Sequence, residues 1–335
     1  MATLALLALS FGCQSKEDTF RTRGEVFGTA VEISIYGESQ ARAQLLGTRV
    51  LQEFERLHLK FHAWQPSALT ALNDSIARGE VYQGDAEMVD LLNAATQLAV
   101  NSDHTFNPAI GNLIRLWGFQ ASEITPRRPS AAQVKHWVDA NARMTDLVFE
   151  GTRISSRNRA IRLDLGGFAK GYALDRAAQI LRAEKVSAAL VNIGGNVLAI
   201  GRPGKRAWQV GVQDPRGDGL VARIDLHDNE AIGTSGDYQR YFMQDGRRRA
   251  HIIDPRTGEP TDLVASVTIL ISGGRNVGTR SDGQSKPLFI LGPQGWQAMA
   301  QRLGLTHVML IDTQRNIQMT PAMRARLSVD QSSAD

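Results

Sequence analysis

IRLDLGGFAKGYALDRA, residues 161–177, is the stretch from which the rest of the chain can be read. Apolar Ile161, Leu163 and Leu165 alternate with polar neighbours and predict the end of a strand. Gly166 and Gly167 then turn the chain, and a helix is expected from Phe168 to about residue 184. A strand that delivers a diglycine turn to a helix N-terminus is good anion-binding geometry. Glycine lets the backbone come close, and the free N–H groups of the first helical turn point at whatever sits there. Asp164 and Lys170 flank the turn with opposite charges, which suits a phosphate or a metal–phosphate group. A diglycine of this kind also serves as a tight strand-to-helix connection with no ligand, and these residues alone do not separate the two.

Upstream, Val31, Ile33 and Ile35 alternate as in a half-buried strand, and residues 39–60 carry Leu45, Leu46, Val50, Leu51, Phe54 and Leu57 at helical spacing. FHAWQPSALTALN breaks at Pro66, with Ser67 placed to cap a short helix, and Ser130 is placed to cap another. A further amphipathic helix is expected over 85–100, and HTFNPAIGNLIRLWGF could begin a helix at Pro108. From about residue 143 the texture changes to short β-like runs: LVFEG, IRLDL, AALVNIGG, VLAIG, WQVGVQ, LVARIDL, AIGTSG, QRYFM, AHIID and SVTILIS. A last helix is expected over about 293–304, with strands near 307–312 and 316–319. A helix-rich first part followed by a strand-rich second predicts an α+β fold and not a regular βαβ alternation. The expected organisation is one domain over 21–327, a leader and tether over 1–20, and a frayed tail over 328–335.

Composition narrows the function. The chain has 335 residues, and its net charge of +4 comes from 38 basic and 34 acidic residues. That balance is too even to argue for nucleic acid, and Arg247-Arg248-Arg249 suits a solvated strand or turn. One cysteine, Cys13, excludes a disulfide framework and a cysteine-based zinc site. MATLALLALSFG, residues 1–12, is too short to span a bilayer as an ordinary helix and resembles the apolar core of an export signal. With Cys13 directly after Gly12 it also looks like a bacterial lipoprotein signal; the other reading is a disordered extension. The expectation is a protein on the periplasmic side, anchored to the inner membrane through lipidated Cys13.

Glycine-bearing turns close several strands of the second part: Gly166-Gly167, Gly194-Gly195 and Gly236. Together they suggest one crowded edge where backbone meets a ligand, although each is also an ordinary turn glycine. His251, in AHIIDPRTGEP, lies at a strand end beside a turn, where it can act as a base, bind phosphate or be merely structural. Asp282, in TRSDGQSKPLFILG, could help hold a hard cation or serve as a turn or N-cap aspartate. HExxH, GxxxxGK[ST] and GxGxxG are absent from the sequence.

The order of these motifs resembles the FAD:protein FMN transferase family, the ApbE-like flavin transferases. FGT at 27–29 is similar to the family's M-G-T, and TFNPAIGNLIRLWGF to its F-D-P-T-x-G-P-L-x-x-LWGF. LDLGGFAKGYALDRA is close to DLGGIAKGYAVDRA, and LVNIGGNVLAIG to LVNIGGDIRAIG. WQVGVQDP, TSGDYQRYF and HIIDPRTGEP fit with almost no change. The resemblance implies a T-fold-like architecture of largely antiparallel sheets with packed helices. It implies an enzyme that cuts FAD at its pyrophosphate, transfers FMN to a threonine hydroxyl of an acceptor protein with Mg²⁺ assistance, and releases AMP. The acceptor would be a flavoprotein or membrane redox-complex subunit with a Ser/Thr-containing motif. By resemblance His251 and Asp282 are catalytic. Thr29, Trp64, Phe106, Asn107, Asp164, Gly167, Lys170, Gly195, Asp237 and His251 line the FAD site. The Ala169 carbonyl and Asp282 hold the metal, and Ser285 is a candidate third ligand.

The departures are specific. Asp282-Gly283-Gln284-Ser285-Lys286 stands where the family commonly has D-A-L-A-T, so Lys286 replaces a threonine that would help hold the metal. Asn107 and Asn196 replace aspartates, and Trp64 replaces a tyrosine. An FAD pyrophosphatase that yields FMN and AMP, or a non-catalytic FAD-binding module, remains the alternative to the transferase.

Overall fold

The computed structural model describes residues 18–121 and 123–328. Of the leader and tether expected over 1–20, residues 1–17, Cys13 included, lie outside the described residues, while Thr19 and Phe20 already belong to a strand. Of the tail expected over 328–335, Ser328 ends a strand and the residues from 329 onward lie outside the described residues. The chain opens with a hairpin, β1 (Thr19–Val26) and β2 (Thr29–Tyr36), and continues through α1 (Gln40–Lys60), α2 (Ala68–Arg78), β3 (Tyr82–Gln83) and α3 (Ala86–Asn101). Then come α4 (Gly111–Leu116), α5 (Ala131–Asp139), β4 (Leu147–Glu150), β5 (Arg153–Ser156) and α6 (Ala169–Ala183). The strand-rich part follows: β6 (Ala188–Ile193), β7 (Asn196–Ile200), β8 (Trp208–Gln213), β9 (Leu220–Leu226), β10 (Glu230–Gly236), β11 (Tyr241–Gln244), β12 (Arg247–Ala250) and β13 (Val264–Ser272). The described chain closes with α7 (Val277–Arg302), β14 (His307–Asp312), β15 (Ile317–Met319), α8 (Pro321–Arg326) and β16 (Leu327–Ser328).

Eight strands form the central sheet in the order β1-β2-β6-β7-β10-β13-β14-β15, and every neighbouring pair is antiparallel. The fold is therefore α+β, as the pattern predicts. Its two faces are sorted by the period-2 alternation of the strands. Val191, Leu198, Ile269 and Leu310 face the main core with Phe54, Leu92 and Phe289 from the helices. Ala188, Val197, Leu270 and Met309 face a second core with Trp208, Ile224 and Met323. Because both faces are covered, β7 and most of β13 are buried throughout, which is why they read as continuous apolar runs.

The helices begin where their caps direct. Ser67 and Thr70 form a capping box, as do Ser130 and Gln133, and Asp85 accepts the Met88 N–H at 2.9 Å.

Three elements depart from expectation. FGT is not one continuous strand: Phe27 and Gly28 form a hairpin turn, with positive φ of 57° and 65°, the pair of values a two-residue turn requires, and Thr29 opens β2. Residues 161–165 form no strand: they meet residues 108–111 at an isolated parallel bridge, Ile110 to Arg162, through the backbone bonds Arg162 N–H to Ala109, Gly111 N–H to Arg162 and Asp164 N–H to Pro108. The backbone of Leu163 is instead satisfied by the buried side chain of Asn73, which accepts the Leu163 N–H at 2.7 Å and donates to its carbonyl at 3.0 Å. Lastly, the helix expected from 293 already begins at Val277 and kinks at Gly292, where φ is 69° and ψ −167°.

Candidate functional site

A cleft of about 870 Å³ opens between the hairpin turn, the start of α6 and the strand-rich part. Its floor is the diglycine turn. Asp164 accepts the Gly166 N–H at 2.9 Å and a proton from Gln120 Nε2 at 2.9 Å, and its own N–H is held by the Pro108 carbonyl. The Leu165 carbonyl accepts the N–H groups of Phe168 and Ala169, which starts α6. Gly167, Ala169 and Lys170 face the cleft at that helix N-terminus. Among the described residues no carboxylate pairs with Lys170.

Opposite stands His251. Its Nδ1 lies 3.1 Å from the Arg240 carbonyl, so Nδ1 carries the proton and donates, and Nε2 keeps its lone pair. Burial, reinforced by the charge of Lys170, pushes the imidazole down to about 3. The ring is therefore neutral near pH 7 and available as a base.

One wall is aromatic. Phe27, His58, His62 and Trp64 meet edge to face in sequence, with ring centroids 5.5, 4.9 and 4.5 Å apart, and the Arg240 guanidinium lies 5.7 Å over Trp64. Arg240 is fixed by donating to the carbonyls of Phe119 and Ala121, both at 2.9 Å. On the other side Thr29 packs against Gly194, and the Gly195 N–H is held by Asn192.

Behind the floor, α6 and α7 cross at two glycines. A Cβ on Gly171 would lie 2.3 Å from the Gly278 carbonyl and 2.6 Å from Asp282 Cβ. The helices also exchange carboxylates. Asp175 on α6 accepts the Gly278 and Thr279 N–H groups, both at 2.8 Å, while Asp282 on α7 accepts the Gly171 N–H at 2.9 Å. Burial would raise Asp282, but the ammonium groups of Lys286 and Lys170 hold it below the ordinary carboxylate range.

The cleft thus gathers Thr29, Trp64, Phe106, Asn107, Asp164, Gly167, Ala169, Lys170, Gly195 and His251. Asn107 spends its amide on local backbone, donating to Ala142 and accepting from Ala109. Three other expected residues do not line the cleft. Asp237 is 2 % exposed and held by both nitrogens of the Arg216 fork, at 2.7 and 2.5 Å. Asp282 and Ser285 are fully buried one layer behind the floor. Asn196 is also buried, accepting the Thr234 N–H at 3.1 Å.

The ApbE family profile matches residues 27–310, the span that builds both the sheet and the cleft. This chain belongs to the ApbE family. It is 38% identical over 302 residues to the FAD:protein FMN transferase of Rhodobacter capsulatus, covering 90% of this chain and 57% of that protein. An FAD:protein FMN transferase of Klebsiella pneumoniae (strain 342) is 30% identical over 312 residues, covering 90% of this chain and 92% of that one. Among solved structures, the ApbE protein of Thermotoga maritima superposes with a TM-score of 0.85 at 31% identity, covering 93% of this chain and all of that one. The apo flavinyl transferase ApbE of Pseudomonas stutzeri gives 0.80 at 28%, covering 93% of this chain and 98% of that one.

Against that ApbE background the implied Mg²⁺ can be tested on this chain's donors. A hard divalent cation needs several oxygens with free lone pairs facing it. One Asp282 oxygen is paired with the Lys286 ammonium and the other accepts from Gly171. Ser285 Oγ donates to the Asp282 carbonyl at 2.7 Å and lies 2.6 Å from Ser235 Oγ. Among the described residues no three His, Cys, Asp or Glu side chains gather to hold a metal. As placed, these residues do not fit a divalent cation.

Sequence reading missed Arg240, His58 and His62. Arg240 does lie in the TSGDYQRYF motif, three residues beyond Asp237, but nothing local distinguishes it from a surface arginine.

Proposed function

We propose that this chain transfers FMN from FAD to a threonine hydroxyl of an acceptor protein and releases AMP. One observation carries the reading: a helix N-terminus whose Lys170 is paired with no carboxylate among the described residues faces a neutral histidine whose Nε2 keeps its lone pair, across a cleft sized for a small-molecule ligand. The names of the relatives agree with it.

The roles follow from the chemistry. The α6 N-terminus and Lys170 bind the diphosphate and offset its charge. The aromatic wall and Arg240 offer faces on which flat rings can stack. The acceptor threonine Oγ attacks the phosphorus of the FMN half. The Oγ–P bond forms as the P–O bond to the AMP phosphate breaks, and AMP leaves with the bridging oxygen. The threonine proton passes to His251 Nε2. The negative diphosphate raises the imidazole's proton affinity when it arrives, so the base strengthens in the complex.

As acceptor we propose a flavoprotein or membrane redox-complex subunit with a Ser/Thr-containing motif. We also propose that the enzyme works on the periplasmic side, tethered to the inner membrane through lipidated Cys13. Among the described residues no helix is long and apolar enough to cross a membrane.

Intact-mass measurement of a co-expressed acceptor, with AMP release followed in parallel, tests the reading. A mass increase of one FMN on a threonine-bearing acceptor is expected. AMP release that is equal with and without acceptor would instead identify an FAD pyrophosphatase. Tight FAD binding with no AMP release, unaffected by His251→Ala, would identify a binding module.

A further inference from the structure

Lys286 is the residue on which sequence and site disagree most. It lies one helical turn after Asp282 on α7, and its side chain is 11% exposed. Its methylenes pack on the diglycine turn: a Cβ on Gly167 would meet Lys286 Cε at 3.5 Å. Its Nζ donates to the Asp282 carbonyl at 2.9 Å and to Asp282 Oδ1. An ammonium has three protons to donate. Two are engaged with Asp282, and the third remains for a group in the cleft that Lys286 lines.

The charges point the same way. Two ammonium groups, Lys286 and Lys170, act on the one buried carboxylate behind the floor, Asp282, while the floor's own carboxylate, Asp164, is occupied by the Gly166 N–H and Gln120 Nε2. The aligned amides at the start of α6 add positive potential.

We propose that the Lys286 ammonium is the resident cation of the diphosphate corner. It sits on Asp282 where the family resemblance expects a divalent metal, so that the dinucleotide diphosphate is held without one. The inference rests on the flavin-transfer reading for the identity of the ligand, but its test does not depend on transfer.

The experiment has two arms on the full chain. In the first, Mn²⁺ alone is titrated into chelator-treated protein and free Mn²⁺ is followed by electron paramagnetic resonance. Wild type is expected to take up no Mn²⁺ at this site, whereas Lys286→Thr, which frees the Asp282 oxygen and adds a hydroxyl, takes up one ion. In the second, FAD affinity is measured by flavin fluorescence in EDTA and in Mg²⁺. The wild-type Kd is expected to agree between the two buffers within about twofold, while Lys286→Thr binds at least about tenfold more weakly in EDTA and recovers in Mg²⁺.

Lys286→Met is the control for folding and packing. It keeps the methylene contacts, removes the charge, and is expected to weaken FAD in both buffers. Uptake of one Mn²⁺ by wild type that is lost in Asp282→Asn overturns the proposal. So does a wild-type Kd that worsens about tenfold in EDTA. If FAD binds as expected but no acceptor gains FMN, the transfer reading fails alone. If FAD binds in neither buffer, both fail.

Discussion

At the scale of single residues the decisive group is His251. A general base is lost as pH falls through its pKa, and an ordinary histidine would be lost around pH 6.5. Burial and the charge of Lys170 push this one down to about 3 in the free protein. The kcat/KM for AMP release should therefore stay level from about pH 7 to about pH 5. An acid limb centred near pH 6.5 in a rate–pH profile would contradict the assignment. His251→Asn should lower kcat by about 10²–10⁴-fold with little change in FAD affinity, read by AMP release and fluorescence titration. Trp64→Ala should do the reverse. Removing the stacking surface beneath Arg240 should weaken FAD by about 1 kcal/mol, with a smaller effect on turnover. The motif residues Gly167, Lys170 and His251 could be picked out in the sequence because close backbone approach, free charge and titration near neutrality belong to residue types. Arg240, His58 and His62 could not, because their roles come from which rings and carbonyls the fold sets beside them.

Between elements, the contact of α6 with α7 sets the site. Gly171→Ala drives a methyl into the Gly278 carbonyl, so it should cost about 1–3 kcal/mol or more in urea unfolding. Asp175→Ala removes the acceptor for the first amides of α7 and should cost about 0.5–2 kcal/mol, also read by urea unfolding. The first half of α7 was hidden in the sequence for a local reason. Gly278, Gly283, Pro287 and Gly292 are poor helix residues, and they mask the i,i+4 relation of Asp282 to Lys286. What those glycines lose in propensity is offset by contact. Gly278 and Gly283 let α7 lie against α6, Leu98 and Phe168, where a Cβ would collide. Amphipathic α1 and α3 have no such conflict, and their extents were legible to within a residue.

Across the whole molecule, the change in texture near residue 142 is not a boundary between separable units. The opening hairpin crosses it: β2 pairs with β6 from Val31–Ile193 to Tyr36–Ala188. Helices α1 and α3 from the first part and α6 and α7 from the second share one core. A fragment starting at residue 143 would leave the β6 edge and much of that core uncovered, which favours aggregation. It should be insoluble alone and recover native circular dichroism only when co-expressed with residues 18–142. Independent folding of the fragment would contradict a shared core. The sequence could show most strands from β6 onward, because alternation is local, although it missed the short β3, β5 and β16 and counted residues 161–165 as one. It could not show their order, because the pairing of residue 31 with residue 193 is set by tertiary closure.

The exchange of carboxylates between α6 and α7 bears on how this protein can change over generations. Each helix supplies the acid that satisfies the other's amides, and each supplies the glycine that admits the other's backbone. Positions 171, 175, 278 and 282 therefore form one heritable unit, in which a substitution at one position alters what is tolerated at the other three. Lys286 hangs from that unit by its bond to Asp282. A lineage that exchanged this lysine for a metal site would have to remake the seam between the helices as well, and intermediates with only one of the two changes would be the least fit.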